Sequence, residues 1–266
     1  MAKVIITGAA GSIGSELCRQ LAKDNEVIAL DNNETGVFDL AQEIKVIAVI
    51  ADIKNQEKID RIFRDNKPDI VFHAAAYKHL PLMEEYPEEA VETNVWGTRN
   101  LIKISQKYKV RKFVFISSDK AVNPNSVMGL TKKMGELLCQ KAGYIAVRFG
   151  NVLGSRGSVI PIWKKQIEKG EPITITHPEM KRYFMSIEDA CSLVIQASQL
   201  GKGGEIFILD MGEQIKIIDI AKRIAGEDYP IKIIGVRKGE KMFEELLTEE
   251  EKQKVVKQGK FFVIRN

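Results

Sequence analysis

A glycine-rich segment near the start of the chain has the residue types that bind the phosphates of a dinucleotide. Residues 7–14 read TGAAGSIG and lie between a β-branched run and a helix-like pattern. There Gly8 permits a tight turn, Gly11 lets the backbone approach a pyrophosphate, and Gly14 allows the helix to pack closely on the strand. The helix N-terminus adds free N–H groups and partial positive charge. The predicted cofactor contacts in this segment are Gly8, Ala10, Gly11, Ser12, Ile13 and Gly14.

An acidic residue follows this segment at the end of the next strand-like run. The carboxylate of Asp31 would accept hydrogen bonds from the hydroxyls of an adenosine ribose and would repel a 2′-phosphate, so NAD is favoured over NADP. The alternative is a glycine-rich turn that serves packing alone. The strand before the motif, the helix after it and the acid beyond it argue against that alternative.

Two later segments carry side chains that could act on a substrate. One strand-like run ends in Ser118, Asp119 and Lys120, and the following helix-like segment carries Met128 and Lys132. A carboxylic acid beside an amine can supply an acid and a base together, whereas a thioether has no proton to donate or accept. Read in isolation, these residues are a solvated loop pair, a core methionine and a solvated helix lysine.

The Gly-x-x-Gly-x-x-Gly spacing resembles the extended branch of the short-chain dehydrogenase/reductase superfamily. That superfamily has Ser or Thr on the fifth strand and Tyr-x-x-x-Lys on the next helix. The resemblance implies that Lys132 binds the nicotinamide ribose and that Met128 stands where the tyrosine is expected. It also implies cofactor contacts from two further turns, at Asp52, Ile53, Ala74, Ala75 and Ala76. The alternatives are a helix N-cap for Asp52 and strand-end packing for the alanines.

Four separated stretches resemble one group within that superfamily. Residues 73–81, 118–124, 148–156 and 237–246 are similar to the CapD-like nucleotide-sugar 4,6-dehydratases of polysaccharide biosynthesis, which act on UDP-N-acetylglucosamine. Methionine at the tyrosine position resembles the larger, membrane-anchored branch, although no anchor is expected before the first strand here. That branch implies retention of configuration at C5 of the sugar.

The resemblance implies a reaction in which NAD is regenerated. The sugar is oxidised at C4, the resulting ketone acidifies the C5 hydrogen, water is eliminated across C5 and C6, and the hydride returns to C6. By resemblance Asp119 is the acid and Lys120 the base. Without the tyrosine, the C4 hydroxyl would lose its proton to Asp119, or to Ser118 through a water molecule.

The nucleotide part of such a substrate needs cations, backbone amides and polar side chains. A glycine- and serine-rich loop, two later arginine segments and the residues after the alanine turn offer them. The predicted substrate contacts are Lys78, His79, Asn151, Arg156, Ser158, Val159, Pro161, Arg182, Arg237 and Glu240. A surface ion pair is the alternative for each arginine, and a structural histidine for His79. No metal ligand is predicted.

Two other functions compete with a dehydratase. A UDP-hexose 4-epimerase shares the fold, NAD and the first hydride step, but it needs no acid or base at C5 and C6. A non-catalytic sensor of NAD or nucleotide sugars would explain the missing tyrosine, but Asp119, Lys120 and Lys132 are all retained.

The elements that must position these residues alternate between strands and helices. Strands are predicted at residues 3–7, 26–30, 45–50, 69–73, 112–117 and 144–148, and helices at 12–23, 56–66, 87–107 and 127–141. This rhythm predicts an α/β, doubly wound parallel sheet of Rossmann type, with the NAD-binding core at residues 1–150. Residues 151–266 are predicted to form a smaller nucleotide-sugar lobe, with helices at 160–169, 187–200, 215–226 and 242–258. A return of some of these elements to the core is left open.

Composition excludes several other classes of protein. The 266 residues are 44% hydrophobic and 29% charged with a net charge of +4, and lysine and glutamate are interleaved, which argues against nucleic acid as a partner. Three widely spaced cysteines predict neither disulfides nor a zinc site and favour a reducing cytoplasm. The apolar runs are too short for a transmembrane segment, and no signal peptide is expected. The segments 87–107 and 127–141 are predicted to pair in a homodimer or larger homo-oligomer.

Overall fold

The centre of the fold is a sheet whose inner strands are buried on both faces. The computed structural model describes residues 1–265, and within them nine strands form one sheet in the order β14-β15-β11-β6-β5-β4-β1-β2-β3. In chain order the strands are β1 (Lys3–Thr7), β2 (Glu26–Asp31), β3 (Ile47–Ile50), β4 (Ile70–His73), β5 (Lys112–Ile116), β6 (Ile145–Arg148), β7 (Asn151–Val152), β8 (Ile173–Ile175), β9 (Lys181–Arg182), β10 (Phe184–Met185), β11 (Ile206–Leu209), β12 (Ile215–Lys216), β13 (Ile231–Ile233), β14 (Val256–Gln258) and β15 (Phe261–Ile264).

The strands from β11 to β3 are all parallel, and β15 runs antiparallel to both β11 and β14. Successive residues of β1 point to opposite layers: Val4 and Ile6 pack with Leu17 on one side, and Ile5 packs with Phe63 on the other. Both faces are therefore covered, which confirms the predicted doubly wound α/β fold.

Helices cover the two faces of the sheet. They are α1 (Ser12–Leu21), α2 (Glu34–Glu43), α3 (Gln56–Asn66), α4 (Leu80–Glu85), α5 (Pro87–Ala90), α6 (Thr98–Lys107), α7 (Val127–Lys141), α8 (Val159–Glu168), α9 (Ile187–Leu200), α10 (Ile217–Ala225) and α11 (Glu249–Lys254). A π-helical segment, Val91–Gly97, joins α5 to α6, and Asp119–Ala121 forms a 3₁₀ turn. Across residues 1–265, no helix combines the length and the apolar character needed to cross a membrane.

The predicted helix at residues 242–258 is wrong. The chain stays irregular until Thr248, whose side chain and Glu251 form a capping box that starts the short helix α11 there. After α11 the chain turns into β14, which pairs with β15 across a hairpin. The sequence does not predict helices α2 and α4, because Gly36 inside α2 and Pro81 inside α4 weaken the helical pattern.

Residues beyond 150 contribute to two parts of the fold, a separate apolar cluster and the main sheet. Helices α8 and α10 pack with β8 around Trp163 in a separate apolar cluster that includes Ile173 and Ile220. Strands β11, β14 and β15 instead extend the main sheet. The second half of the chain thus contributes to both regions, and the division at residue 150 stays a prediction. Strand β1 lies between β2 and β4, where the strand order reverses, so a crevice is expected at the carboxyl ends of these strands.

Candidate active site

A cleft of about 780 Å³ opens at the carboxyl ends of the parallel strands. Most of the predicted cofactor contacts line it: Gly8, Ala10, Gly11, Ser12, Ile13, Gly14, Asp31, Ala74, Ala76 and Lys132. Three others are not among the residues that line it. Ile53 packs against Gly97, the backbone of Ala75 packs against Gly8, and Asp52 accepts a 2.8 Å hydrogen bond from the backbone N–H of Lys54.

The glycine segment forms a cradle that has no room for a side chain at Gly8 or at Gly14. Gly8 has φ +71°, and a Cβ atom there would lie 2.5 Å from the backbone nitrogen of Ala75. A Cβ atom at Gly14 would lie 2.0 Å from the carbonyl oxygen of Gly8. Helix α1 begins after Gly11 without a side-chain cap, so its first N–H groups stay available to a ligand. This is the geometry that a pyrophosphate needs at a helix N-terminus.

Asp31 is fixed at the end of β2 by two backbone N–H groups. Its Oδ2 atom accepts a 2.9 Å hydrogen bond from Ala10, and its Oδ1 atom accepts one of 2.9 Å from Asn33. Each carboxylate oxygen retains a lone pair for a further donor. The carboxylate therefore lies beside the cradle, where a ribose hydroxyl could donate to it.

Lys132 on α7 is almost fully buried and borders the cleft. Its Nζ atom donates a 2.9 Å hydrogen bond to the carbonyl of Ile116 and lies 4.9 Å from the ring centre of Phe115. Burial lowers the pKa of Lys132 to about 8, although the carboxylate of Glu136 opposes the shift. Glu136 is itself fully buried and pairs with Arg148 at 2.8 Å, which fixes α7 against β6.

Ser118, Asp119 and Lys120 form a hydrogen-bonded group directly after β5. The Oδ1 atom of Asp119 accepts hydrogen bonds from Ser118 Oγ at 2.8 Å and from Lys120 Nζ at 2.9 Å. Lys120 also donates to Asn151 Oδ1 at 3.1 Å. Ser118, Lys120 and Asn151 line the cleft, whereas Asp119 is 0% exposed and lies beneath them. The structure therefore brings the predicted acid and base together, but the serine hydroxyl and the lysine lie between the acid and the open space.

Met128 has two roles in the wall of the cleft. It is almost fully buried and packs in a small apolar cluster with Met83 and Ala90, and its side chain also borders the cleft. No proton can pass through its thioether. The hydroxyl of Ser118 is therefore a better candidate than this helix position for proton exchange with a ligand.

The predicted substrate contacts share the same cleft, and Arg156 reaches the cradle, where its backbone N–H donates a 2.9 Å hydrogen bond to Ser12 Oγ. Lining the cleft are Lys78, His79, Asn151, Arg156, Ser158, Val159, Arg182, Arg237 and Glu240, whereas Pro161 lies outside it. Lys78 donates a 2.9 Å hydrogen bond to the carbonyl oxygen of Arg156, and burial lowers the pKa of Lys78 with help from the positive charges of Arg156 and Lys120. This concentration of cations suits an anionic ligand.

One serine at this end has a free polar atom. The Oγ atom of Ser158 is buried and has no hydrogen-bond partner within residues 1–265. Ser158 precedes α8, a ten-residue helix whose N-terminus has no side-chain cap. An unpaired hydroxyl beside free helix N–H groups fits a phosphate.

Arg182 lines the cleft and also makes hydrogen bonds that the sequence analysis did not anticipate. Although it lines the cleft, its guanidinium donates to the carbonyl oxygens of Lys181 and Lys241 at 2.8 Å and of Met242 at 3.2 Å. These bonds hold the segment around residue 242 against β9. In this structure Arg182 anchors that segment, and its contact with a phosphate stays a prediction.

Glu244 is a site residue that the sequence reasoning missed. It is 2% exposed, and its Oε1 atom lies 3.8 Å from the Nζ atom of Lys120. It falls within the stretch 237–246 that resembles the CapD-like group. The sequence does contain a signal for it. Glu244 follows the apolar Phe243 in the same stretch as the predicted substrate contacts Arg237 and Glu240.

The nine-stranded sheet, the glycine cradle and the lysine of α7 define an extended short-chain dehydrogenase/reductase. The chain belongs to the polysaccharide biosynthesis protein family, whose model matches residues 4–266. It is 49% identical to the capsular polysaccharide biosynthesis protein CapD of Staphylococcus aureus, over 93% of this chain and 45% of that protein. The chain thus spans a little under half the length of that relative.

Other similar proteins match over most of their length. A UDP-glucose 4-epimerase of Rickettsia bellii (strain OSU 85-389) is 36% identical over 98% of this chain and 82% of that protein. The X-ray structure of Pen from Bacillus thuringiensis superposes with a TM-score of 0.95 at 36% identity, covering 100% of this chain and 89% of that one. The UDP-glucose 4-epimerase of Thermus thermophilus, solved in complex with NAD, superposes with a TM-score of 0.81 at 26% identity over 92% and 90% of the two chains.

Proposed function

We propose that this chain is an NAD-dependent nucleotide-sugar 4,6-dehydratase, which converts UDP-N-acetylglucosamine to a UDP-4-keto-6-deoxy sugar. The observation that carries the proposal is the bonded group of Ser118, Asp119 and Lys120, which shares one cleft with the glycine cradle. An elimination needs an acid and a base on the sugar together, and this group contains both. The 49% identity to CapD, a capsular polysaccharide biosynthesis protein, supports a place in polysaccharide biosynthesis.

The residues around the cradle fit NAD. Gly8, Gly11 and the uncapped start of α1 would hold its pyrophosphate, Asp31 its adenosine ribose and Lys132 its nicotinamide ribose. The NAD complex of the Thermus thermophilus epimerase supports this assignment. When bound, NAD would supply the hydride acceptor for C4 of the sugar and the hydride donor for C6.

The side chains of this protein would move the protons. The C4 hydroxyl gives its proton to the oxygen of Ser118, whose own proton passes to Asp119 along their 2.8 Å hydrogen bond. Neutral Lys120 then takes the proton from C5, and the C5–H electron pair forms the C5–C6 double bond. The C6–O bond breaks as Asp119 returns its proton through Ser118, so that water leaves. Lys120 finally gives its proton back to C5, and all three side chains regain their starting states.

The cationic end of the cleft would hold the diphosphate of the nucleotide. Ser158 and the N-terminus of α8 offer donors, and Lys78, Arg156 and Arg237 offer positive charge. Glu240 accepts a 3.0 Å hydrogen bond from the backbone N–H of Arg237, which shapes the turn that carries this arginine.

A UDP-hexose 4-epimerase is the second candidate, favoured by the 36% identity to the Rickettsia bellii epimerase. Mass spectrometry after incubation with UDP-N-acetylglucosamine and NAD separates the candidates. We expect a product lighter by one water. A product of unchanged mass with inverted C4 would identify an epimerase, and an unaltered substrate that still binds would identify a non-catalytic sensor.

A further inference from the structure

A half-exposed tyrosine lines the cleft and has no role in the proposed proton transfers. Tyr77 follows the turn of alanines after β4 and is 41% exposed. The small side chains of Ala74 and Ala76 line the cleft just before it, so Tyr77 is the first large side chain along this segment. Aromatic rings commonly line pockets that bind small molecules. The position of Tyr77 therefore suits contact with a ligand.

The backbone of Tyr77 is fixed by Asn94, a buried residue on the π-helical segment Val91–Gly97. The N–H of Tyr77 donates a 2.8 Å hydrogen bond to Asn94 Oδ1, and Asn94 Nδ2 donates one of 3.0 Å to the carbonyl oxygen of Tyr77. The same Nδ2 atom donates to Thr131 Oγ1 on α7 at 3.0 Å. Segments of π-helix are rare and occur frequently at functional sites. Only backbone atoms of Tyr77 take part in these bonds, so its ring is left to the cleft.

The order of the strands places this segment between the two functional parts of the cleft. Strand β4 lies between β1, which leads into the cradle, and β5, which leads into the acid–base group. The next residue, Lys78, donates to the carbonyl oxygen of Arg156. Burial lowers the pKa of Lys78, and the positive charges of Arg156 and Lys120 add to the shift. The segment at residues 77 and 78 thus lies within electrostatic reach of both Arg156 and Lys120.

A nucleotide sugar that reacts in this cleft has to span the same interval. Its diphosphate would lie at the cationic end with Arg156, and C5 and C6 of the sugar would lie at Lys120. The pyranose ring joins these two parts, so it has to pass the segment that carries Tyr77. A tyrosine ring has an apolar face and a polar tip, and a pyranose ring presents C–H groups on its faces. The two rings can therefore pack face to face.

We infer that Tyr77 is a specificity-determining residue, whose ring packs against the pyranose ring of the nucleotide sugar. The inference rests on the proposed function, because that function places the sugar between Lys120 and Arg156. Since Asn94 already fixes the backbone, only the side-chain torsions of Tyr77 have to be ordered when the contact forms. The nucleoside diphosphate alone lacks the pyranose ring and would not make this contact.

The test compares the binding of UDP-N-acetylglucosamine with that of UDP by calorimetric titration. The protein is loaded with NADH, which cannot accept a hydride from the sugar, so turnover does not disturb the measurement. Tyr77→Ala should weaken the binding of UDP-N-acetylglucosamine about tenfold, which is about 1.4 kcal/mol. The affinity for UDP should not change. Tyr77→Phe keeps the ring and should bind both ligands like wild type.

The matched control is Tyr86→Ala, at an exposed tyrosine that is not among the residues lining the cleft. We expect wild-type affinities for both ligands. Unchanged affinity of Tyr77→Ala for UDP-N-acetylglucosamine, or an equal loss for UDP, would overturn the inference. An equal loss in Tyr77→Phe would assign the contact to the hydroxyl and would overturn it too. A loss of NADH affinity in Tyr77→Ala would place the ring on the cofactor, with the same consequence.

A second variant covers the case in which Tyr77→Ala does not fold. Tyr77→Leu keeps an apolar side chain of similar bulk but has no flat ring. It should also bind UDP-N-acetylglucosamine more weakly than wild type while its affinity for UDP is unchanged. Unchanged affinity for both ligands would overturn the inference.

The two proposals fail in different ways. Wild-type protein that binds no nucleotide sugar, or that releases no dehydrated sugar with NAD, contradicts the proposed function. Wild-type protein that binds and dehydrates the sugar, beside a Tyr77→Ala variant with unchanged affinity for it, contradicts the role of Tyr77 alone.

Discussion

The hydroxyl of Ser118 donates a 2.8 Å hydrogen bond to Asp119 and borders the cleft, while the carboxyl group beneath it is fully buried. In the proposed mechanism, this relationship separates the group that would store a proton, Asp119, from the group that would meet the substrate, Ser118. A substrate hydroxyl can reach Ser118 directly and Asp119 through it. In that mechanism Ser118 would take the role that the resemblance to dehydrogenases gives to a tyrosine on α7.

The first prediction concerns this relay. Ser118→Ala should lower kcat by about 10²-fold or more, because proton exchange with Asp119 is then interrupted, and Asp119→Asn should lower it by about 10²–10⁴-fold. Ser118→Thr keeps the hydroxyl and should stay close to wild type. Steady-state kinetics with UDP-N-acetylglucosamine provide the measurement. Full turnover in Ser118→Ala would show that protons reach Asp119 by another path.

The second prediction concerns the choice of cofactor. Asp31 is held by the backbone N–H groups of Ala10 and Asn33 and carries a negative charge where a 2′-phosphate would lie. Calorimetric titration should show that NAD binds much more tightly than NADP. The variant Asp31→Ala should reduce the difference between the two affinities. The exposed Asp24→Ala is the control and should leave both affinities alone. Equal affinities for the two dinucleotides in the unmodified protein would refute the assignment.

The sequence is most informative where local rules decide the structure. The strands up to residue 148 and the helices α3, α7 and α9 follow from runs of β-branched residues and from helical periodicity. The cradle can be predicted from the sequence because Gly14 packs against Gly8, and the short turn between these two glycines brings them together. Such features depend on few distant contacts.

The arrangement around Asp119 depends on distant parts of the chain and cannot be predicted in this way. Its burial follows from β5 and β6 lying side by side, and Glu244 reaches Lys120 from a segment that Arg182 anchors. The periodicity of that segment predicts a helix. Its hydrogen bonds to Arg182 outweigh so weak a local preference.

The third prediction concerns pH and stability. Burial lowers the pKa of Lys132 from an ordinary 10.5 to about 8, so between these values the unfolded chain binds more protons than the folded one. The contribution of Lys132 to the free energy of unfolding therefore increases as the pH rises through this interval. The variant Lys132→Met lacks this contribution. Urea denaturation should show that the free energy of unfolding of wild type increases relative to that of Lys132→Met between about pH 7 and about pH 10. Parallel curves would contradict the lowered pKa.

The fourth prediction concerns assembly. Leu130, Met134 and Leu137 are exposed on α7, and Trp96 is exposed on the neighbouring π-helical segment. A two-fold contact through this face would bury these apolar side chains, so we expect a dimer or larger assembly by light scattering at micromolar concentration. Leu137→Lys should shift it toward monomer, whereas Leu200→Lys, at an exposed leucine on α9, should not. A monomeric wild-type protein would refute the prediction.

The fifth prediction sets the proposed base against the residue at the tyrosine position. Lys120→Ala should lower turnover by about 10²–10⁴-fold, with nucleotide-sugar binding preserved by the cationic end of the cleft. Met128→Leu should cost far less, because it nearly conserves volume and removes no proton carrier. An active Lys120→Ala beside an inactive Met128→Leu would overturn the account.

The central claim is that Lys120 exchanges the proton at C5 of the sugar, and isotope incorporation tests it most directly. The wild-type protein is incubated with UDP-N-acetylglucosamine and NAD in deuterium oxide, and C5 of the product is examined by NMR. We predict a dehydrated sugar that carries solvent deuterium at C5, and none from Lys120→Ala over the same time. A C4 epimer with protium retained at C5 would contradict the claim.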